Sequence, residues 1–540
     1  MTLILRWSHL LLVAAAALGS AAAAHAQEPS PDLPAAATPV ALPAAATPAE
    51  DEFAYLNMTG AGRVTAARNS TFAVDPNGGR STDGSQISSR LSLLGDFDTG
   101  HHLGNWGIQA GVGVDALSGT FLGTPAIDGD YLPGSRFDAV LLTQAWAGLS
   151  LRDLGTLRVG LMTSHWGLGL LANDGNHALD SRRDDWFVLP TTGDRIARAQ
   201  LVLQPFGRGH SAARGLFLAL SVDDVIEDAT ANRAAGDNAI QEVAALRWHF
   251  AKERWAGVNF VHRDQTYHDA NGPFLKVNVV DAAFDMDYRK ADNGLRVQGE
   301  AAVILGTTNL APTPEHTQHD VRQAAAVLKA RYDVAGRRPV RFELDGGWFS
   351  GDDNLADGAL TGFKANPNFQ QGILLFPQVL GWQSGRARIT ASNPGVTGYP
   401  SADLDRLATH GQVTSAITVF PKVGWKFFHH GDRSVEIYGG ALLAWSPTPP
   451  IDAFSTQVVG GGAPRNYLGK APNGSLLGTE FDAGLVLTRA PQDWPVALAL
   501  RLECAVLVPG GVLAGMEGDS PIVGERLTFA ILPLASKEHK

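Results

Sequence analysis

Cysteine and long apolar segments are the two scarcest features of this chain. It contains one cysteine, Cys504, which excludes a disulfide framework and a cysteine-rich metal site. After residue 26 there is no helical run of about 18 apolar residues, so no membrane-spanning α-helix is expected there. The formal net charge of −11 argues against nucleic acid as a partner. We expect neither a metal nor a cofactor.

The N-terminal segment has the composition of a secretory signal peptide. Arg6 supplies the positive charge, residues 10–18 form the apolar run, and a small-x-small cleavage site ends at Ala26. A Pro/Ala-rich stretch with two copies of the heptapeptide LPAAATP follows; it cannot build a core and is expected to be an extended periplasmic tail. The predicted organisation is a signal peptide at 1–26, a tail at 27–51 and one further domain at 52–540.

Alternation of apolar and polar residues dominates the rest of the chain. We count eighteen stretches in which every second residue is apolar. In one of them Phe284, Met286 and Tyr288 share one parity, whereas Asp285 and Asp287 have the other. One apolar and one charged face is the pattern of a transmembrane strand with lipid outside and water inside.

The connections between these stretches alternate between short and long. The short ones lie at residues 152–155, 251–254, 290–293, 334–338 and 490–492, and the long ones at 117–136, 164–194, 224–238, 351–407 and 446–475. Outer-membrane barrels have tight periplasmic turns and long extracellular loops, whereas a soluble sandwich has no reason to sort its loops in this way. The prediction is an all-β, transmembrane, up-and-down antiparallel β-barrel of about 18 strands, located in the outer membrane with lipid around it.

Aromatic residues support this orientation independently. Those on the apolar parity near the short turns are Trp106, Tyr288, Tyr332, Trp425, Phe427 and Trp494, and those near the long loops are Trp348 and Trp445. Amphipathic rings favour the two membrane–water interfaces, so we expect two aromatic belts. Pro421 falls inside a strand and is expected to force a β-bulge.

Charged residues on the opposite parity are the candidate pore lining. They are Arg158, Arg289, Arg296, Arg331, Arg341, Glu343, Asp345, Glu480, Asp482, Arg501, Glu503 and Arg526. Opposite charges fall on neighbouring strands, such as Asp287 beside Arg296 and Arg526 beside Glu503. Two interpretations stay open and are compatible: an ion-pair lattice that supports the wall, or a hydrophilic surface for a moving solute. Balanced charge favours a neutral or mixed-charge cargo.

Two long connections are candidates for constricting or gating the lumen. The gate candidates in residues 164–194 are Trp166, Asp174, Arg182 and Arg183, and those in residues 351–407 are Asp352, Asp353, Trp382 and Arg386. Acidic clusters in outer loops can take up calcium, but neither run has EF-hand spacing. Solvated loops are therefore the simpler expectation for these clusters.

The sequence contains no recognisable catalytic motif. The glycine-rich run 462–470 has the wrong spacing for a phosphate loop, and no Gly-x-Ser-x-Gly elbow is present. Asp352 and Asp353 are of the right type for acid–base chemistry with His429 and His430, but a barrel places the two pairs at opposite ends of a hydrocarbon core about 30 Å thick. We expect a protein that is not an enzyme.

Two segments resemble the alginate-export family of outer-membrane barrels. One is QAWAGL at residues 144–149 followed by LRVGL at 157–161, and the other is GWFSGDDN at 347–354. The resemblance implies an 18-stranded barrel that carries a polysaccharide outward, with loop-controlled access and periplasmic export proteins as partners. A different secreted exopolysaccharide would fit equally well.

Function therefore has one leading hypothesis and two alternatives. The leading one is an outer-membrane conduit that exports a polysaccharide. The first alternative is a general or substrate-selective diffusion porin for small polar solutes, and the second is a barrel with a structural role whose lumen is blocked by residues 351–407. The cargo, the direction of transport and the oligomeric state stay open at this point.

Overall fold

The computed structural model describes residues 55–533, except 82–84, 100–104, 124–136, 153, 177–184, 208–211, 252, 270–271, 291–292, 394–402, 492–493 and 495. The predicted signal peptide at 1–26 and the tail at 27–51 lie outside the described residues. Within the described residues, no helix has both the length and the apolar character needed to cross a bilayer.

Eighteen long antiparallel strands form one closed barrel, as the alternating pattern predicts. The strands are β1 (Tyr55–Asn69), β2 (Gln86–Asp98), β3 (Trp106–Gly123), β4 (Asp138–Leu151), β5 (Gly155–Thr163), β6 (Arg195–Leu203), β7 (Leu216–Glu227), β8 (Asn238–Ala251), β9 (Arg254–Thr266), β10 (Phe274–Asp287), β11 (Gly294–Thr308), β12 (His319–Val334), β13 (Val340–Phe349), β14 (Ala359–Leu360), β15 (Ala416–His430), β16 (Arg433–Trp445), β17 (Leu476–Arg489), β18 (Val496–Pro509) and β19 (Ile522–Pro533). The barrel closes because β1 pairs with both β2 and β19. The short β14 is the extra strand; it lies in a long loop and pairs in parallel with β12.

The sorting of connections by length holds for most of the barrel, although residues 204–215 on the short-turn side form a longer connection than residues 267–273 on the long-loop side. The short turns include 152–154 between β4 and β5 and 431–432 between β15 and β16, and the longest loops are 164–194, 350–415 and 446–475. Several strands extend further at their outer ends than the alternation predicts. β10, for example, begins at Phe274, and its outer end departs from the alternation because Lys276 and Asn278 lie on the outward parity while Val277 is buried on the inward one.

The outer surface of the barrel is apolar, as the parity assignment predicts. Leu328, Phe342 and Phe529 are outward-facing and roughly half exposed. Trp106 and Trp494 near the short turns and Trp348 near a long loop are similarly exposed on this surface, in line with the two aromatic belts. A closed barrel leaves no unpaired strand edge, which is what allows strands to cross hydrocarbon. The protein therefore lies in the outer membrane.

The prediction of a β-bulge at Pro421 is wrong. The β15–β16 ladder keeps its register across this site, pairing Val419 with Leu443 and Lys422 with Gly440, and it is irregular only between Trp425 and Phe428. In the β15–β16 ladder Pro421 has no paired residue. The missing N–H of proline therefore removes one hydrogen bond there without requiring an inserted residue.

A hydrophobic core lies inside the barrel, formed largely by two loops that fold into the lumen. We call residues 164–194 the first inward loop and residues 350–415 the second inward loop. The second contains a π-helical turn at Leu375–Leu380 and an α-helix at Gly381–Ser392. Side chains of both loops join one buried cluster, which includes Leu170, Trp186, Phe187, Phe363, Leu374, Phe376 and Trp382. Burying each large apolar side chain stabilises the folded loops by about 1.5–3 kcal/mol.

Candidate functional site

A buried arginine fixes the first inward loop to the barrel wall. Arg90 of β2 is 2% exposed, and its Nε donates to Asp115 Oδ2 at 2.8 Å. Its Nη1 donates to the carbonyl oxygens of Gly175 at 2.7 Å and Thr191 at 2.9 Å. A guanidinium has five donors in a rigid fork, so one side chain holds two points of the loop while its charge is neutralised on the wall.

A buried carboxylate on the opposite side of the lumen holds the tip of the same loop. Glu300 of β11 accepts the backbone N–H of Leu168 and of Leu170, the latter at 3.2 Å. Gly167 has φ +57°, and a Cβ there would lie 2.5 Å from Glu300 Oε2. The turn approaches the wall this closely because position 167 is glycine. Hydrogen bonds of this kind contribute about 0.5–1.5 kcal/mol each.

Aromatic residues of the first inward loop pack near a third anchor. Glu503 accepts the Phe187 N–H at 3.2 Å and the Tyr438 hydroxyl at 2.9 Å, and Arg526 donates its Nε to the same carboxylate at 2.5 Å. The Trp186 ring stacks on Tyr438 with centroids 5.3 Å apart. The predicted neighbours Arg526 and Glu503 are thus in contact, and the pair also binds a loop.

The second inward loop is anchored by Glu480 of β17. Its carboxylate oxygens accept three successive backbone N–H groups, from Ile373 at 2.5 Å, Leu374 at 2.8 Å and Leu375 at 2.7 Å. These groups lead into the π-helical turn and have no helical acceptor of their own. A buried negative charge at this end therefore satisfies the donors and fixes where the helical segment starts.

The two inward loops are also joined to each other, through an amide-rich segment at residues 366–371. Its backbone and side chains form hydrogen bonds with the first inward loop: Asn366 N–H to the Leu170 carbonyl at 2.7 Å, Thr191 N–H to Asn368 Oδ1 at 2.7 Å, and Leu189 N–H to Gln370 Oε1 at 2.8 Å. Side-chain amides here imitate the pattern of a neighbouring strand. The loops therefore form one connected body inside the barrel.

Several cavities border the described residues of the lumen around this body. The upper cavity, about 320 Å³, lies towards the long loops and is lined by Arg63, Arg90 and Arg526 among others. The lower cavity, about 120 Å³, lies on the β11–β15 wall and includes Arg296 and Lys422. A side cavity of about 290 Å³ lies against β6–β9 below Trp166. The amide-rich segment borders both the upper and the lower cavity, through Asn368, Gln370 and Gln371.

All twelve predicted pore-lining residues lie on the inward parity of their strands. Their contacts in the described residues are mostly with one another or with the inward loops. Arg289, Arg331 and Arg341 surround Asp333; Arg296 pairs with Asp285 at 2.6 Å; Glu343 and Asp345 share Lys422; Glu480 and Glu503 bind loop N–H groups; Arg501 lies 3.4 Å from the Asp185 carbonyl; Asp482 is buried beside Glu480; and Arg158 lies over the Trp146 ring. Their role in transport stays a prediction.

The gate candidates separate into three groups. Trp166 and Trp382 are buried at 6% and 4% exposure, Trp166 inside the lumen and Trp382 in the core of the second inward loop. Asp174, Asp352 and Arg386 make local loop contacts: Asp174 with His165, Asp352 with the Thr361 N–H, and Arg386 with Asp75. Asp353 is solvent-exposed. Arg182 and Arg183 lie outside the described residues.

Several residues that shape the lumen are absent from the sequence-based candidates. Trp186 and Phe187 carry the loop core, and Gln370 and Gln371 border the cavities. A signal for the amides was present, since residues 366–371 read NPNFQQ between two mostly apolar stretches at 358–365 and 372–382. Amides in an apolar context need partners, which is a reason to expect contact with another loop.

Burial shifts the pKa values of two side chains in the outer loops, Lys364 and Asp352. Lys364 lies in a cavity of about 130 Å³ between the second inward loop and residues 446–475. Its Nζ donates to the Arg406 carbonyl at 3.4 Å, and burial lowers its pKa to about 8. Burial raises the pKa of Asp352, against the opposing effect of the N–H groups of Thr361 and Asn354. In the described residues no cluster of three or more His, Cys, Asp or Glu side chains could hold a metal ion.

Comparison with known proteins gives structural likeness only. No family model matches the chain, and no curated protein matches it. Among solved structures it is similar to OccK8 (OprE) of Pseudomonas aeruginosa, with 10% identity, TM-score 0.43 and 89% of this chain and 99% of that chain covered. It is also similar to a BenF-like porin from Pseudomonas fluorescens Pf-5, with 10% identity, TM-score 0.43 and the same coverage. OpdK of Pseudomonas aeruginosa, crystallised with vanillate, has 13% identity, TM-score 0.41 and coverage of 88% and 98%.

The predicted kinship with the alginate-export family is wrong. The similar solved barrels are porins, and the matching segments have local structural explanations. Arg158 lies over the Trp146 ring at 4.7 Å, and Gly160 has φ +142°, where a Cβ would lie 2.6 Å from Trp146 Cα. Asp352 closes a loop turn through the Thr361 N–H at 2.9 Å. Both segments therefore have a role in local packing.

Proposed function

We propose that this protein is a channel, not an enzyme, through which small polar solutes diffuse across the outer membrane with some selectivity. The main support is that both inward loops are fixed in the lumen by buried wall side chains, among them Arg90, Glu300 and Glu480. What remains are cavities of about 120–320 Å³, which suit small solutes. A polysaccharide chain would have to occupy the whole length of the lumen at once, and the two fixed inward loops obstruct this.

Of the functions considered from the sequence, the diffusion channel is therefore the better supported, and neither polysaccharide export nor periplasmic export partners find support. The balanced charges of the wall also fit this proposal. In the lower cavity, Lys422 lies 3.0 Å from Glu343 and 2.6 Å from Asp345, so its charge is neutralised locally. A wall of paired charges is well hydrated and does not hold a solute tightly.

The test is reconstitution of the purified full-length protein. We expect measurable KCl conductance in planar bilayers and swelling of liposomes with uncharged solutes, falling steeply from trioses to disaccharides. Replacing residues 356–411 by a short Gly/Ser linker should increase conductance and weaken the size dependence. Absence of conductance in the intact protein, with conductance appearing only after loop replacement, would favour a blocked structural barrel instead.

The export hypothesis is tested separately in cells. Deletion of the gene is expected to leave secreted polysaccharide at the parental level while reducing uptake of small polar solutes. Loss of secreted polymer in the deletion strain, restored by the intact gene, would contradict the proposal.

A further inference from the structure

Gln371 occupies the junction between the upper and the lower cavity. It is one of three side-chain amides that border both, with Asn368 and Gln370. Those two are hydrogen-bonded to the first inward loop: Asn368 accepts the Thr191 N–H and Gln370 accepts the Leu189 N–H. Gln371 is different: it is 4% exposed, and its Oε1 is buried without a hydrogen-bond partner among the described residues.

An unsatisfied buried amide oxygen is costly unless something in the cavity donates to it. Leaving such a group without a partner costs about 1–3 kcal/mol. Nearby cationic side chains are already paired with carboxylates and do not donate to it: Lys422 pairs with Asp345 at 2.6 Å and Arg296 with Asp285 at 2.6 Å. Gln371 is therefore an uncharged polar group at this junction whose acceptor oxygen is not used by the described residues.

The chemistry of the surroundings selects the kind of donor. Charged side chains of both signs line the two cavities and are largely paired, such as Lys422 with Asp345 in the lower cavity and Arg526 with Glu503 beside the upper one, so no net charge favours an ammonium group or an anion there. A carboxylate would set an acceptor against the acceptor of Gln371. A hydroxyl group both donates and accepts, so it complements an amide in either orientation. The aromatic rings of Trp186 and Phe420 line the same lower cavity and suit the apolar face of a ring or carbon chain.

We propose that Gln371 is the specificity-determining contact of the channel and that it selects neutral, hydroxylated solutes of the polyol or monosaccharide class. This inference rests on the proposed diffusion function and specifies its substrate class. The contact forms midway along the path, after a solute leaves the upper cavity. One hydrogen bond of this kind changes the rate of passage by about 2- to 10-fold, the range expected for a neutral pair.

The experiment compares Gln371→Met with the wild-type protein in liposomes. Methionine keeps the length and volume of glutamine but removes both polar atoms, and Gln371 Oε1 has no partner to lose among the described residues. The solutes are mannitol, rich in hydroxyl donors, and triethylene glycol dimethyl ether, which accepts but cannot donate. We expect the swelling-rate ratio of mannitol to ether to fall about 2- to 10-fold in the variant. The matched control is Gln323→Met, whose side chain borders the cavity beneath the outer loops.

Each outcome has a definite meaning. An unchanged mannitol-to-ether ratio in Gln371→Met, with heat-modifiable gel mobility showing a folded barrel, overturns the inference. So does wild-type flux of labelled gluconate that exceeds mannitol flux and is insensitive to Gln371→Met, because Arg63 would then be the dominant contact. Failure of the proposed function is distinguishable, since the wild-type protein would then show neither KCl conductance nor swelling with either solute.

Discussion

Inward-facing side chains divide into residues that fix the structure and residues left free for a solute. Glu300, Glu480 and Glu503 are buried carboxylates whose oxygens accept loop N–H groups, so they belong to the scaffold. Lys422 between Glu343 and Asp345 neutralises the wall. Charge on the inward parity therefore mostly reports structural anchoring, and the candidate solute contact is an uncharged amide.

Lys364 gives a prediction at the same scale, because its pKa of about 8 lies below the ordinary value of 10.5. Between these values the folded loop has released a proton that the unfolded chain still binds, so stability rises with pH through this window. At pH 7 the amine is charged in a partly buried site, which lowers the stability of the folded protein. Lys364→Met should therefore raise the melting temperature by about 1–2 °C at pH 7 and by less at pH 10.

Thermal unfolding in detergent at both pH values checks this prediction. Lys470, an exposed loop lysine, supplies the control: Lys470→Met should shift the melting temperature equally at the two pH values. An effect of Lys364→Met that is the same at pH 7 and pH 10 would show that burial does not perturb this amine.

At the scale of elements, the inward loops depend on their anchors more than on their own helical content. The tip of the first inward loop reaches Glu300 through the N–H groups of Leu168 and Leu170. Residues 366–371 then hold the second loop against the first. Weakening one anchor should therefore loosen a whole loop and not a single contact.

Glu300→Gln tests this dependence by replacing one acceptor oxygen with an amide NH₂ group while keeping the shape. Leaving a loop N–H without its acceptor costs about 1.5 kcal/mol, which should populate the released loop about tenfold more. We expect chymotrypsin to cleave within residues 164–194 about tenfold faster than in the wild type. Glu253→Gln, in an exposed position of the β8–β9 turn, should leave the rate unchanged. Equal cleavage rates in Glu300→Gln and the wild type would mean that this anchor is dispensable.

At the scale of the whole molecule, stability comes from a closed wall that faces lipid on one side and a packed interior on the other. Leu328 lies outward in the middle of β12 and is 51% exposed on the barrel surface, whereas Val334 lies outward at the short-turn end of the same strand. The cost of a charge on this surface depends on its depth in the bilayer. The two positions therefore form a matched pair.

Leu328→Arg is expected to lower the free energy of unfolding by about 2–4 kcal/mol, and Val334→Arg by about 0–1 kcal/mol. Denaturant unfolding of the protein reconstituted in phospholipid vesicles gives both values. Similar costs at the two positions would indicate that residues 328 and 334 lie at the same membrane depth, which contradicts a barrel with its short turns at one membrane surface.

Sequence patterns carried much of the information about the barrel and little about its interior. Alternation along each strand predicted the faces, and pairs such as Asp287 with Arg296 were predicted from neighbouring strands and found in register. Boundaries were less accurate at the outer ends, as at β10, because the outward-facing Lys276 and Asn278 and the buried, inward-facing Val277 reverse the usual alternation. The short motifs at 144–161 and 347–354 misled, since they reflect local packing around Trp146 and a loop turn.

Strand count, face assignment, membrane location and the sorting of loops were determined by the sequence alone, because each depends on side-chain order within one strand or one turn. Which loops enter the lumen, and which wall residue holds each of them, was decided only by the tertiary structure. Glu480 meets Ile373 and Glu300 meets Leu168 across more than a hundred residues of chain. Such partners become neighbours only when the barrel closes, so no local sequence pattern predicts them.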